Sequence, residues 1–108
     1  MLYQLRTYVI PEGRMPDIVR RFETVTMDLF RKHGIEVVGF WTVDDPDPGR
    51  ELVYITRFEN QQAADAAWDA FRDDPEWVEA RARSEENGPI VEDVVQKILS
   101  PTAFSALQ

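Results

Sequence analysis

The stretch "HGIEVVGFWTVDDPDPGRELVYITRF", residues 33–58, holds two β-branched and aromatic runs on either side of a segment of Asp, Pro and Gly. Pro presets the backbone angle of a turn, Gly tolerates unusual angles, and Asp bonds back to its own main chain, so the two runs read as a β-hairpin. What flanks the hairpin then decides the fold. Upstream, Met15, Ile18, Val19, Phe22, Val25 and Leu29 recur at steps of three and four, with Arg20, Arg21, Glu23 and Lys32 elsewhere. That spacing predicts an amphipathic helix of about five turns, closed at Gly34, which tolerates the left-handed conformation of a helix end.

Before that helix, "LYQLRTYVI" alternates Tyr3, Leu5, Thr7 and Val9 with Gln4, Arg6 and Tyr8, the period of a strand, and "PEG" ends it. After the hairpin, "NQQAADAAWDAF" places Ala64, Ala67, Trp68 and Phe71 on one helical face behind Asn60 as N-cap. A break at "DDPEW" comes next, with Asp74 as cap and Pro75 in the first helical position, and a short helix runs to about Asn87. "IVEDVVQKILS" is then the last strand and "PTAFSALQ" a tail. The order β-α-β-β-α-β predicts an α+β, ferredoxin-like domain over residues 1–108: a four-stranded antiparallel sheet with helices on one face. "VVGFW" and "LVYI" are apolar on both faces, so the second sheet face also calls for cover, which a second copy of the chain supplies as a homodimer.

A chain of 108 residues with 44% hydrophobic and 30% charged residues folds as one globular domain. Twenty acidic against twelve basic residues leave a charge of -8, which repels phosphate backbones and anionic lipid and argues against nucleic acid or a membrane surface as partner. With no cysteine there is neither a disulfide nor a thiolate chemistry. No leader-like or spanning apolar run is present, so the cytoplasm is the expected compartment.

Four pieces of the chain, "YQLRTYVIPEGRM", "HGIEVVGFW", "DDPEW" and "SPTAFS", in this order, make it resemble the NIPSNAP family of the dimeric α/β-barrel superfamily. The resemblance implies a ferredoxin-like protomer that dimerises through its sheet. Related families include cofactor-free monooxygenases, haem enzymes and isomerases, so the fold leaves the reaction open.

Three residues are candidates for catalysis. His33, the only histidine, lies eleven positions after Phe22, which returns it to the inward helical face. It reads either as part of the helix ending, in favourable contact with the C-terminal dipole, or as a general base lining a cavity. Arg6 on a central strand needs a partner: an internal carboxylate such as Glu36 or Glu92, a ligand carboxylate or enolate, or a group across the dimer interface. Tyr54 and Tyr8 each carry a hydroxyl that wants a partner when buried. Tyr8, Phe40, Trp41 and Trp77, from an aromatic set that also holds Phe58 and Trp68, are candidates to bind an apolar or aromatic metabolite, although such residues more often serve as core.

One histidine and no cysteine argue against a metal site, and the acidic turn of Asp44, Asp45 and Asp47 lacks the spacing of a calcium loop. No cofactor is expected; haem on His33 is the remaining cofactor alternative. Two functions are thus open: a cofactor-independent enzyme moving a proton on a conjugated substrate, of monooxygenase or isomerase type, or a non-catalytic dimeric binding or interaction module.

Overall fold

The computed structural model describes residues 1–46 and 49–108. The strands are β1 (Leu2–Val9), β2 (Glu36–Thr42), β3 (Glu51–Phe58) and β4 (Asp93–Leu99). They form one antiparallel sheet in the order β2-β3-β1-β4, the ferredoxin-like order, with β1 and β3 central. The helices are α1 (Met15–Arg21) and α2 (Met27–Lys32), joined through a π-helical turn at Phe22–Thr26, then α3 (Gln61–Asp73) and α4 (Pro75–Ser84). Asp47 of the acidic turn lies outside the described residues; Asp44 and Asp45 are exposed.

The helix ends are explained by local chemistry. Gly34 has φ +73°, and the Ile35 amide reaches back to the Phe30 carbonyl at 2.8 Å while the Gly34 amide reaches Arg31 at 3.3 Å. These two bonds make a Schellman ending with His33 as C-cap. Asn60 caps α3, its side-chain oxygen accepting from the Ala63 amide at 2.8 Å, and Asp74 caps α4 by accepting from the Glu76 amide at 2.9 Å. The helix α4 stops at Ser84, three residues short of the expected Asn87. Ile90 and Val91, expected in the last strand, instead lead into it, with Ile90 fully buried.

Two departures from regular periodicity reposition side chains. In the π turn the Met27 amide bonds to the Phe22 carbonyl, five residues back. The wider turn puts Thr26 inward, its hydroxyl on the Arg21 carbonyl at 3.3 Å, and leaves Val25 only partly buried. In β2 the partner of Val37 is Thr56 and the partner of Gly39 is Ile55, so Val38 is a bulge. The extra residue turns Phe40 toward the helices and Trp41 away from them.

The register gathers Gln4, Arg6 and Tyr8 opposite Thr56, Tyr54 and Leu52 on the helix side. There, Tyr54, Phe22, Phe30, Trp68 and Phe71 form the core, with ring centroids 5.4 Å apart for Phe30 and Trp68 and 5.1 Å for Phe30 and Phe71. The opposite face carries Leu5, Val53, Ile55, Val95 and Trp41. Only its Tyr3 end is covered by the tail, whose Gln108 carbonyl accepts from the Tyr3 hydroxyl at 3.2 Å. Among the described residues no helix is long and apolar enough to cross a membrane.

Candidate functional site

Between the helix side of β1, the lead-in to β4, and helices α3 and α4 lies a cleft of about 470 Å³. Trp68, Phe71, Trp77, Val91 and Val94 supply its apolar surface, and Arg6, Tyr8, Arg21, Arg72 and Arg81 its polar one together with the carboxylates of Glu85, Glu92 and Asp93. A hollow of this size, with an aromatic wall and convergent polar groups, can hold a small molecule.

Arg6 sits at its base with the guanidinium carbon 4.2 Å from the centre of the Trp68 ring. Its Nε donates to the Tyr54 hydroxyl at 2.7 Å, and another of its nitrogens donates to the Gln96 side-chain carbonyl. No carboxylate pairs with Arg6 among the described residues, which corrects the expected internal ion pair: Glu36 faces Arg57 at 3.7 Å and Glu92 pairs with Arg50 at 3.1 Å. The β1 register is the reason, because it places Tyr54 and Gln96, not an acid, on either side of Arg6.

The Tyr54 and Tyr8 hydroxyl oxygens lie 2.8 Å apart. Tyr54 is fully buried and already accepts from Arg6, so its own proton is best directed to Tyr8, which leaves the Tyr8 proton free to point into the cleft. Burial, together with Tyr8 and against the opposing effect of Arg6, holds the Tyr54 hydroxyl well above the usual tyrosine range, so it stays a neutral donor at physiological pH. Burial also disfavours the Arg6 charge, but the Tyr54 and Tyr8 hydroxyls outweigh it and the guanidinium is held more firmly protonated than usual. The result is a directed chain, Arg6 to Tyr54 to Tyr8, ending in a donor at the cleft. Gln4 and Thr56 support it from behind: the Gln4 side-chain oxygen accepts from Trp68 Nε1 at 2.7 Å and from the Thr56 hydroxyl at 3.1 Å, fixing the indole under Arg6.

The other predicted site residues are scattered. Trp77 lines the cleft. Phe40 does not; it packs at 5.0 Å on both Phe22 and Tyr54 as part of the core. Trp41 is turned by the Val38 bulge onto the opposite sheet face, where it is 50% exposed and lies over Gly39. His33 is also away from the cleft. Its Nε2 lies 2.7 Å from Asp74 Oδ2, an oxygen that also accepts from Lys32 Nζ at 2.9 Å. His33 thus completes a clasp between the end of α2 and the start of α4. It borders a separate hollow of about 590 Å³ walled by alanines of α3, which lacks a comparable gathering of aromatic and donor groups.

The clasp makes a prediction. The Lys32 ammonium, then His33 and the Glu76 amide, hold the Asp74 carboxyl below the usual carboxylate range. A carboxylate with a lowered native pKa stabilises the fold above its unfolded pKa, near 4, and that contribution drains away as pH falls through the native value. Asp74→Asn keeps the cap and removes the charge. We expect its melting temperature to lie several degrees below wild type at pH 7, with the gap closing toward pH 2; a gap independent of pH would refute the assignment.

The periodicity of the first helix set Arg21 apart from the apolar face, yet it is 7% exposed and faces the cleft. The available signal was its position three residues after Ile18, inside the inward arc. Gln96, on the edge strand β4, carried no such signal. Among the described residues no group of three or more acidic or histidine side chains is placed to hold a metal ion.

Known proteins bear on this geometry. A family model described as NIPSNAP matches residues 3–106. A NIPSNAP family protein of unknown function from Agrobacterium tumefaciens is 25% identical, covering 100% of this chain and 94% of its own, with a TM-score of 0.86. An uncharacterised NIPSNAP domain protein from Burkholderia xenovorans is 23% identical over 97% of this chain and 98% of its own, with a TM-score of 0.83. A candidate antibiotic biosynthesis monooxygenase from Nitrosomonas europaea shares the fold at 11% identity, over 94% and 98% of the two chains, with a TM-score of 0.63. No curated protein matches. Strand order, helix placement and a match over nearly its whole length agree: the chain belongs to the NIPSNAP family and has a ferredoxin-like α+β fold.

Proposed function

We propose that the protein is a homodimer that binds a small conjugated molecule in the Arg6–Tyr8 cleft and stabilises negative charge on one of its oxygens, as a cofactor-independent enzyme of isomerase or monooxygenase type would. The observation that carries this is the chain from Arg6 through Tyr54 to Tyr8, which ends under an aromatic wall of Trp68 and Trp77. A ligand carbonyl placed at Tyr8 is polarised by that donor. When a proton leaves the adjacent carbon for a carboxylate of the cleft wall, Asp93, the charge that develops on the oxygen meets a preorganised donor backed by a guanidinium. Tyr54 serves as the neutral middle link rather than as a base. His33 takes no part, since it is engaged by Asp74. A second reading, binding without turnover, is favoured by one observation: no histidine faces the cleft.

The test uses 4-nitrophenol, whose ionisation is visible by absorbance. Bound to the protein, it is expected to ionise at a lower pH than in free solution. Ionisation at the same pH, or no binding, would overturn the reading.

A further inference from the structure

The cleft holds a second cation that the proton chemistry above does not use. Arg21 is 7% exposed, and its guanidinium carbon lies 5.0 Å from the centre of the Trp77 ring. One of its nitrogens donates to the Ser84 hydroxyl at 3.1 Å. Its closest carboxylate oxygen, on Glu85, stands 3.7 Å away, outside hydrogen-bond distance, and the buried Nε has no acceptor. A buried donor without an acceptor is a cost that folds rarely retain. Lys32 with Asp74 and Arg50 with Glu92 are closed pairs, at 2.9 and 3.1 Å, whereas Arg57, whose buried Nε also lacks an acceptor, stands 3.7 Å from Glu36. Arg21 is open as Arg57 is, with Glu85 shared toward Arg81 at 3.6 Å, but of the two only Arg21 lines the cleft.

The aromatic wall sets the relation between the two cations. Arg6 stacks on Trp68 and Arg21 on Trp77, and the rings between them run Trp68 to Phe71 at 5.8 Å and Phe71 to Trp77 at 4.6 Å. A guanidinium therefore stands at each end of a row of rings. A flat apolar body against that row presents its two ends to Arg6 with Tyr8, and to Arg21. The planar fork of an arginine matches the two oxygens of a carboxylate. Around the cleft four arginines face three carboxylates, Glu85, Glu92 and Asp93, so that in a chain of net charge -8 this lining is left with a positive excess, which favours an anionic ligand.

We propose that Arg21 is the carboxylate-binding residue of the cleft, so that the ligand is a flat conjugated acid with its acid group at Arg21 and its reacting oxygen at Tyr8. This rests on the cleft being a ligand site, and the experiment separates the two claims. Calorimetric titration of the full-length protein with 2-naphthol, 2-naphthoate and 6-hydroxy-2-naphthoate compares one anchor, the other, and both. The hydroxy acid is expected to bind at least about tenfold more tightly than either single-anchor probe. Arg21→Met is expected to lower the affinity for both acids by about tenfold or more, with a change of less than about threefold for 2-naphthol. Arg21→Lys keeps the charge without the fork and is expected to fall between, which provides a readout should the methionine variant not fold. If 2-naphthol binds but Arg21→Lys and Arg21→Met leave the acids unaffected, or weaken all three probes equally, the carboxylate assignment is overturned while the cleft stands. If no probe binds the wild-type protein, both claims fall.

Discussion

Arg6→Met is expected to weaken binding of ionised 4-nitrophenol about 100-fold, the scale on which removal of one preorganised oxyanion donor acts. Methionine keeps the unbranched stem over Trp68, so the apolar wall stays while the charge goes. Arg6 acts in two ways. On the proposed function its positive charge stands behind the donor that meets the anion, and its Nε occupies the Tyr54 oxygen, which commits the Tyr54 proton to Tyr8. Without it, Tyr54 and Tyr8 can exchange donor and acceptor roles, and the Tyr8 proton is no longer reserved for the ligand. Neutral 4-nitrophenol needs little of this, so its affinity should fall by only a few-fold. The bound probe should then ionise near the pH of the free phenol. Equal loss for the neutral and ionised forms would mean that Arg6 merely shapes the cleft.

Ile55→Glu is expected to convert a dimer at micromolar concentration into a monomer, read as a halved mass in native mass spectrometry. Ile55 is on the sheet face away from the helices, beside Leu5, Val53 and Val95, with Trp41 half exposed at its margin. The described part of this chain covers only the Tyr3 end of that face, through the Gln108 carbonyl. A second copy packed sheet against sheet would bury these side chains, and a carboxylate placed among them would cost several kcal/mol without a partner. At about 1.4 kcal/mol per tenfold, that is a loss of more than 100-fold in affinity. In the separate protomer Ile55 is only partly buried, so the variant should still fold. A wild-type monomer at micromolar concentration would defeat the dimer proposal.

Much of the architecture was legible along the chain because it rests on short-range chemistry. Gly34, Asn60 and Asp74 end or begin helices through bonds to residues two to four positions away, so their roles can be read from residue type and position. The alternation in β1 likewise put Gln4, Arg6 and Tyr8 on one face before any partner strand was known. Periodicity lost its hold where one residue was added. The bulge at Val38 and the π turn at Phe22–Thr26 each shift the phase of the residues after them, and that is why Trp41 left the site and Thr26 entered the core.

The candidate site was less legible. Arg6, Tyr8 and Trp77 were singled out from the sequence and do face the cleft, but their partners Tyr54 and Gln96 lie 48 and 90 positions from Arg6. His33 and Asp74 meet across 41 positions, which turned an inward histidine from a candidate base into half of a clasp. By itself the sequence determined the element order, the helix ends, the family and the apolar excess on the sheet, because each depends on local spacing or on composition. Only the tertiary structure decided which polar groups converge, because strand register and helix phase can be displaced by a single residue, and every long-range partner moves with them.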